Sequence, residues 1–431
     1  MLSSDVGGEA LSQCLQLYLD RSLNWVDKNG WVGWDPYDLW DNSLGRWALS
    51  GASLLQRAVG SSLTRLEARF PLGMRRLLRA APCVNAKAMG LFAAVFLRLE
   101  ALEGVPRAIK GEPGTAACFR WLEANRVALG GGCGWGYPFD WQSRELIPRN
   151  TPTAVTSAIV GDAYWLRYRL RGDTDALDRC QDVCHFFLNA LNRSASRADG
   201  SFCFSYTPLD RFEVHNANLY AAEFLVRVGY ETDRPEWVET GLAAARFSIA
   251  EIRDDGTLAY WSNAQSGPRI DQDTYHSGFE IRALHGLARL TGSPDIARAA
   301  ERYFSVWLTD FFTGEGVPHF VRGRNDVIEV HSCAEALLCP AALAADGVVP
   351  TDWLVAHCDR VLTATVRALW RPVDDRAGYF AWAARRQRSQ FRTTDIPLIR
   401  WGQAWMCCAM SAVLSVLNAR RPSSEPAGPV M

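Results

Sequence analysis

Val214-His215-Asn216-Ala217-Asn218, Tyr275-His276-Ser277-Gly278-Phe279-Glu280 and Val330-His331-Ser332-Cys333-Ala334-Glu335 are three versions of one local design. Each follows a loop rich in Gly, aromatic and charged residues, and each opens a run of small and apolar residues. Six segments share this plan, with predicted helix starts near Val84, Asn150, Val214, Thr274, Val330 and Pro397. Their spacing of roughly 55–65 residues accommodates two helices and two loops at about 1.5 Å rise per residue. Between them lie segments of a second kind, at 174–191, 235–252, 293–311 and 351–369, with one apolar and one charged face. In Asp295-Ile-Ala-Arg-Ala-Ala-Glu-Arg-Tyr-Phe-Ser-Val-Trp307 the apolar positions recur at helical spacing while Arg298, Glu301 and Arg302 face away.

Helices that are apolar nearly all round must be surrounded by protein, and amphipathic ones cover them. The pattern therefore predicts an all-α fold, an (α/α)6 toroid of six helix hairpins around a central cavity. Gly134-Trp-Gly-Tyr137, Asp199-Gly-Ser-Phe202, Asp255-Gly-Thr-Leu258 and Gly378-Tyr-Phe380 mark loops with short β-hairpins. A helix over 8–26 packs on the rim or supplies part of the last hairpin. Residues 1–420 read as one toroid domain, and the Pro- and Ser-rich stretch 421–431 as a disordered tail.

A chain of 431 residues with 22% charged residues and a formal net charge of −1 has no global bias toward nucleic acid or membrane. The first ten residues lack a basic region followed by an apolar one, so no signal peptide is expected. The apolar window 88–97 is too short to span a bilayer and ends at Arg98. These features predict a cytoplasmic protein without membrane insertion, and its twelve scattered Cys suit free thiols. The seventeen Trp fit a large core plus aromatic walls that stack on a ring-shaped ligand.

The inner-helix N-termini open at one end of such a toroid, so chemistry is sought there. Asp35 and Asp38, interleaved with aromatics in Trp34–Asn42, are candidates to bind sugar hydroxyls, although an N-capping Asp would look the same. The loop Gly134–Arg144 offers Trp135, Tyr137 and Trp141 for stacking, Asp140 as a carboxylate and Arg144 as a cation. Tyr206 precedes His215, Asn216 and Asn218, a set suited to proton transfer and hydrogen bonding. Asp273, Tyr275, His276 and Glu280 form a fourth group, and His331 with Glu335 a fifth, each pairing His with Glu at i,i+4. Three of seven His at one repeat position weaken the reading of each as an ordinary core residue. Arg400, Trp401 and Gln403 follow the basic loop Arg385–Arg392 and suit an anionic ligand. Convergent His could hold zinc, but no HExxH or other ligand spacing occurs, so no metal and no cofactor is expected.

Gly33–Asp38, the run Trp135-Gly-Tyr-Pro-Phe-Asp-Trp-Gln-Ser-Arg144, Phe202–Pro208, Val214–Asn218 and Tyr275–Gly278 together resemble the VpsJ-like bacterial toroid proteins of exopolysaccharide and capsule loci. The likeness spans most of the chain. After Asp38 it departs, with Leu39-Trp40-Asp41 in place of Gly-Leu. The resemblance implies a cytoplasmic role in polysaccharide metabolism, with a possible place in a biosynthetic complex, and carries over no catalytic residues. At the level of fold, sugar 2-epimerases, uronate lyases, glycoside hydrolases and terpenoid cyclases are similar.

The expectation is thus an enzyme acting on an acidic, uronate-type saccharide as lyase, epimerase or hydrolase. His215, His276, His331 and Tyr206 would supply acid/base chemistry, with Asp140, Asp273, Glu280 and Glu335 as partners. The alternatives are a terpenoid or prenyl-type cyclase with an aromatic cavity and a non-catalytic glycan-binding scaffold.

Overall fold

Helices built from small and apolar residues bury all their faces, and the structure meets that demand by closing them into a ring. A computed structural model describes residues 4–51, 53–266, 272–387 and 390–419 of the chain. The stretch 421–431, Asp271 and Arg388 lie outside these residues.

In chain order the first helices are α1 (Ser4–Asn29), α2 (Ser43–Ser50), α3 (Leu54–Arg69) and α4 (Pro71–Leu77). The first three hairpins after them are formed by α5 (Ala86–Glu103), α6 (Gly114–Ala124), α7 (Ala154–Arg171), α8 (Thr174–Ala190), α9 (His215–Glu231) and α10 (Pro235–Ile249). The remainder are α11 (Thr274–Thr291), α12 (Pro294–Asp310), α13 (Val330–Ala345), α14 (Thr351–Leu369) and α15 (Trp405–Ala419). Helices α5, α7, α9, α11, α13 and α15 pack each on the next, and α15 returns to α5. Outside them, α6, α8, α10, α12 and α14 each cover the inner helix before them, while α1 covers α15. The N-terminal helix therefore completes the sixth hairpin, and the fold is the predicted α/α toroid.

Local chemistry sets the helix ends. Asn85, Thr153, Asp273 and Glu329 each accept a backbone N–H of the first turn of α5, α7, α11 and α13. Gly104, Gly172 and Gly292 close α5, α7 and α11 in the left-handed conformation. Burial follows the two classes: every residue of α5 from Ala86 to Leu97 is buried, whereas α12 buries only Ala300, Tyr303 and Trp307. The segment Ile399–Ala419 is long and apolar enough to cross a membrane, but it is largely buried as the sixth inner helix. It opens with a turn of π-helix, Ile399–Ala404. The loops carry short antiparallel pairs such as Val127–Leu129 with Gly132–Gly134, and a three-stranded sheet joins Val327–Glu329, Ala383–Gln387 and Gln390–Thr394. All twelve Cys are free thiols, ten of them buried.

The repeat pattern does not anticipate the insertion α2–α4 between α1 and α5. It has its own small core of Leu39, Trp40 and Met74, and it is bolted on by Arg75. That side chain is fully buried and donates to Asp38 Oδ1 (2.9 Å), Glu67 Oε1 (3.1 Å) and the Asp35 carbonyl (2.9 Å). Breaking a buried pair of this kind costs roughly 3–5 kcal/mol, because the remaining charge is stranded.

Close packing between inner helices leaves no room at Gly278, where a Cβ would sit 2.3 Å from Cγ of Glu335 on α13. Glu335 is held by an ion pair and cannot swing aside. Gly278→Ala is therefore expected to destabilise the protein by about 1–3 kcal/mol despite alanine's helix preference. Chemical denaturation of the two proteins checks this.

Candidate active site at the mouth of the toroid

Arg400 stands on the π-turn and is completely buried. Its Nε and Nη2 donate to both carboxylate oxygens of Asp35, at 2.5 and 2.7 Å. Asn85 adds a bond from Nδ2 to Asp35 at 3.3 Å. Nη1 of Arg400 has no hydrogen-bond partner among the described residues. Around the guanidinium stand the rings of Trp401, Tyr137 and Tyr37, with centroids at 4.8, 5.1 and 5.8 Å.

Lys87, in the first turn of α5, is buried beside this group and donates to the Tyr137 hydroxyl at 3.3 Å. The Tyr137 and Tyr206 hydroxyls are 3.4 Å apart. Burial pushes the Tyr137 phenol up, but the charges of Lys87 and Arg400 outweigh it, so the net shift is downward. Lys87 is lowered by burial. Both groups are thus held below their ordinary values, and the hydrogen bond between them gives a proton a direct path from one to the other. Tyr206 moves the other way, up, because burial and the neighbouring phenols disfavour its anion.

On the opposite wall, Asp273 caps α11 and accepts from His276 Nδ1 at 2.7 Å. This fixes the imidazole and leaves Nε2 without a hydrogen bond to the described residues. His276 keeps 20% of its side chain exposed and packs on Tyr260 and Tyr275. His331 lies between Tyr275 and Trp405, with centroids at 4.3 and 4.7 Å. Neither of its nitrogens has a partner among the described residues, and burial with nearby Arg400 and Lys87 holds its pKa well below the ordinary value. It is a neutral part of the floor. Trp401 donates from Nε1 to Glu329, whose carboxyl is pushed up to about 7 by burial.

Of the three repeat His, His276 and His331 reach the mouth and His215 does not. His215 bonds through Nδ1 to Ser248 and through Nε2 to Glu251, both at 3.0 Å, and so ties α9 to the outer helix α10. The cause is helical phase. His215 is the first residue of α9, His331 the second of α13 and His276 the third of α11. Each step turns a side chain by about 100°, so aligned sequences point in different directions. Among the described residues no group of three or more His, Cys, Asp or Glu is placed to hold a metal ion.

The i,i+4 pairs are replaced as well. Glu280 accepts from Tyr303 at 2.7 Å rather than meeting His276, and Glu335 pairs with Arg282 at 2.7 Å rather than with His331. A guanidinium offers two charge-assisted bonds where a neutral imidazole offers one. Arg282 and Tyr220 belong to a cavity of about 290 Å³ below the Phe279–Trp405 stack, at the far end of the barrel. Other candidates serve the frame. Trp135 is wholly buried with Nε1 on the Leu122 carbonyl, and Gln403 clamps both backbone groups of Phe380. Asn218 holds Phe204, Ala244 and Ser248; Asn216, its neighbour, is buried in α9 with Oδ1 unpartnered among the described residues. Asp38 holds the insertion through Arg75. Asp140 and Arg144 sit on the rim, the first paired with Arg46 and Arg149, the second 3.6 Å over the Trp261 ring. What comes together is Asp35, Tyr137, Trp141, Tyr206, Asp273, Tyr275, His276, His331, Arg400 and Trp401.

No protein-family model matches the chain, and no curated protein sequence matches it. Solved structures do. D-mannose isomerase aligns over 78% of this chain and 87% of its own, at 13% identity and a TM-score of 0.56. Cellobiose 2-epimerase from Bacillus thermoamylovorans aligns over 76% and 87%, at 11% identity and 0.54. An unsaturated glucuronyl hydrolase specific for heparin aligns over 95% and 96%, at 11% identity and 0.54. At such identities the likeness shows a shared toroid fold and leaves the chemistry to the residues themselves.

Sequence reasoning missed Lys87, Tyr260 and Glu329. Lys87 had a usable signal: it is one of only three Lys in the chain and stands in an otherwise small and apolar run. Asp38, Glu329 and Glu335 are all raised to about 7, chiefly by burial, which outweighs Arg75 at Asp38 and Arg282 at Glu335. Their unfolded values lie near 4, so the folded state binds these protons more tightly. The stability they contribute is full below about pH 4 and is lost as pH rises through 7. His331 acts in the opposite sense below about 6.5, where its unfolded form would charge. The melting temperature is expected to fall between pH 6 and pH 8, and Glu335→Gln to flatten that slope; a pH series of thermal melts checks both.

Proposed function

We propose that this protein is a carbohydrate-active enzyme that acts on an acidic, uronate-type saccharide by moving a proton at the carbon next to the carboxylate. The observation that carries this reading is the buried pair Lys87 and Arg400, with Nη1 of Arg400 unpartnered, beneath a wall of Tyr and Trp rings. Asp35 already neutralises Arg400, but Nη1 of Arg400 lacks an acceptor and Lys87 pairs with no carboxylate among the described residues, and buried donors left so are costly. A sugar carboxylate would satisfy both while the ring stacks on Trp141 or Trp401.

With the carboxylate neutralised, the adjacent C–H becomes acidic. His276 Nε2, oriented by Asp273, takes that proton, and the charge left on carbon spreads into the carboxylate held by Arg400 and Lys87. Tyr137, supplied by Lys87, stands on the other wall as proton donor. Returning a proton to the opposite face gives epimerisation. Breaking the neighbouring C–O bond, with the proton delivered to the departing oxygen, gives elimination. Hydrolysis fits less well, because it needs two carboxylates flanking the bond, and Asp35, Asp273 and Glu329 are each already engaged. A carbocation, as in a cyclase, would be repelled by Lys87 and Arg400. The similarity in fold to sugar epimerases and a glucuronyl hydrolase supports a saccharide substrate.

Uronate oligomers are expected to raise the melting temperature, while neutral sugars and isoprenoid diphosphates leave it unchanged. Turnover would appear as deuterium incorporation next to the carboxylate or as ultraviolet absorbance of an unsaturated product. His276→Ala should lower kcat by about 10²–10⁴-fold, Arg400→Lys should raise KM, and His215→Ala should lower stability with kcat kept. Stabilisation by an isoprenoid diphosphate with inert uronates would overturn the reading.

A further inference from the structure

Beyond its small core, the insertion α2–α4 turns large apolar residues outward. On α3 the inward line runs through Gln56, Gly60, Leu63 and Glu67, while Leu54, Leu55, Arg65, Leu66 and Arg69 lie on the exposed face. On α4 Arg75 is buried, and Leu72 and Leu77 are exposed. Leu54 is 81% exposed, Leu77 74%, Leu55 64% and Phe70 54%, and Leu44 and Trp47 on α2 are exposed as well. A water-facing helix places its polar residues outward, so this arrangement marks a surface made for contact with something apolar.

The charges point to what that is. Residues 43–82 contain seven Arg and a single carboxylate, Glu67, in a chain of net charge −1. Glu67 is buried against Arg75, so no carboxylate of the segment is exposed. Arg57, Arg65, Arg69, Arg76 and Arg79 are exposed and form no ion pair with any described residue. Exposed Leu, Phe and Trp interleaved with unpaired Arg is the composition that enters the headgroup region of an anionic bilayer, with rings and aliphatic chains among the acyl ends and guanidinium groups on phosphate. A second copy would set Arg against Arg across a two-fold contact, which charge repulsion disfavours. The insertion sits at the mouth, where Arg46 of α2 pairs with Asp140 and Thr394 bonds to the Ala68 carbonyl.

We propose that the outer face of α2–α4 docks this protein peripherally on an anionic lipid surface, placing the mouth of the toroid beside the membrane. At 16 residues α3 is too short to span it. This inference is independent of the reaction in the cavity.

The test is flotation of the full-length protein with vesicles of phosphatidylcholine alone and of phosphatidylcholine with phosphatidylglycerol. Binding to the anionic vesicles only, weakening with salt, is expected. Arg65→Gln and Arg69→Gln should each lower the partition coefficient by about fivefold, and Leu54→Asp with Leu55→Asp should abolish binding. Leu77→Asp, on a different helix, should weaken it independently, and unchanged circular dichroism and melting would show that the fold persists. Absence of binding to anionic vesicles, or binding indifferent to all three leucines, would overturn the proposal. So would equal binding to neutral vesicles.

Discussion

The buried pair of Asp35 and Arg400 joins positions 365 residues apart, and the rest of the mouth is arranged around it. Asp35 comes from the loop after the first helix, Arg400 from the turn before the last. Their two short bonds lock the ends of the chain together where the ring of inner helices closes. The same pair sets the electrostatics: Arg400 helps to hold Tyr137 down and His331 neutral. Because Asp35 uses two of the guanidinium nitrogens, the third is left as an unpartnered donor among the described residues.

Trp401, Tyr137 and Tyr37 face the guanidinium, and Arg75 of the insertion braces the loop that carries Asp35. Two buried arginines thus act in series. Arg75 positions the rim loop through Asp38 and the Asp35 carbonyl, and Arg400 takes the Asp35 side chain. The cost of desolvating these charges is offset by good geometry on both, which ties the fold of the mouth to that of the insertion.

Much of the architecture was legible because helices are local. The starts of α9, α11 and α13 coincide with the quoted repeats, and four outer helices fall within a few residues of their predicted spans. At the mouth, Asp273, His276, Tyr137, Arg400 and Trp401 were legible as chemistry-bearing types placed near helix starts. Lys87 left its mark only as a lone charge in an apolar run, outside the loop motifs, and the insertion had no repeat to match. Its outward apolar residues also defeat pattern reading, since Leu54 and Leu66 look like core and Gln56 and Glu67 like surface.

By itself the sequence determined the number of hairpins, the split into inner and outer helices, and the end of the ring at which polar residues gather. All of this follows from periodicity and from caps acting within a few residues. Only the tertiary structure decided which of those residues meet. His215, His276 and His331 read as equivalents, yet a shift of one residue turns a side chain by about 100° and sends the first toward α10. Partners were likewise decided by competition across the ring, where Arg282 takes Glu335 and Asp35 takes Arg400. Those choices depend on distances between helices far apart in sequence, and no local pattern encodes them.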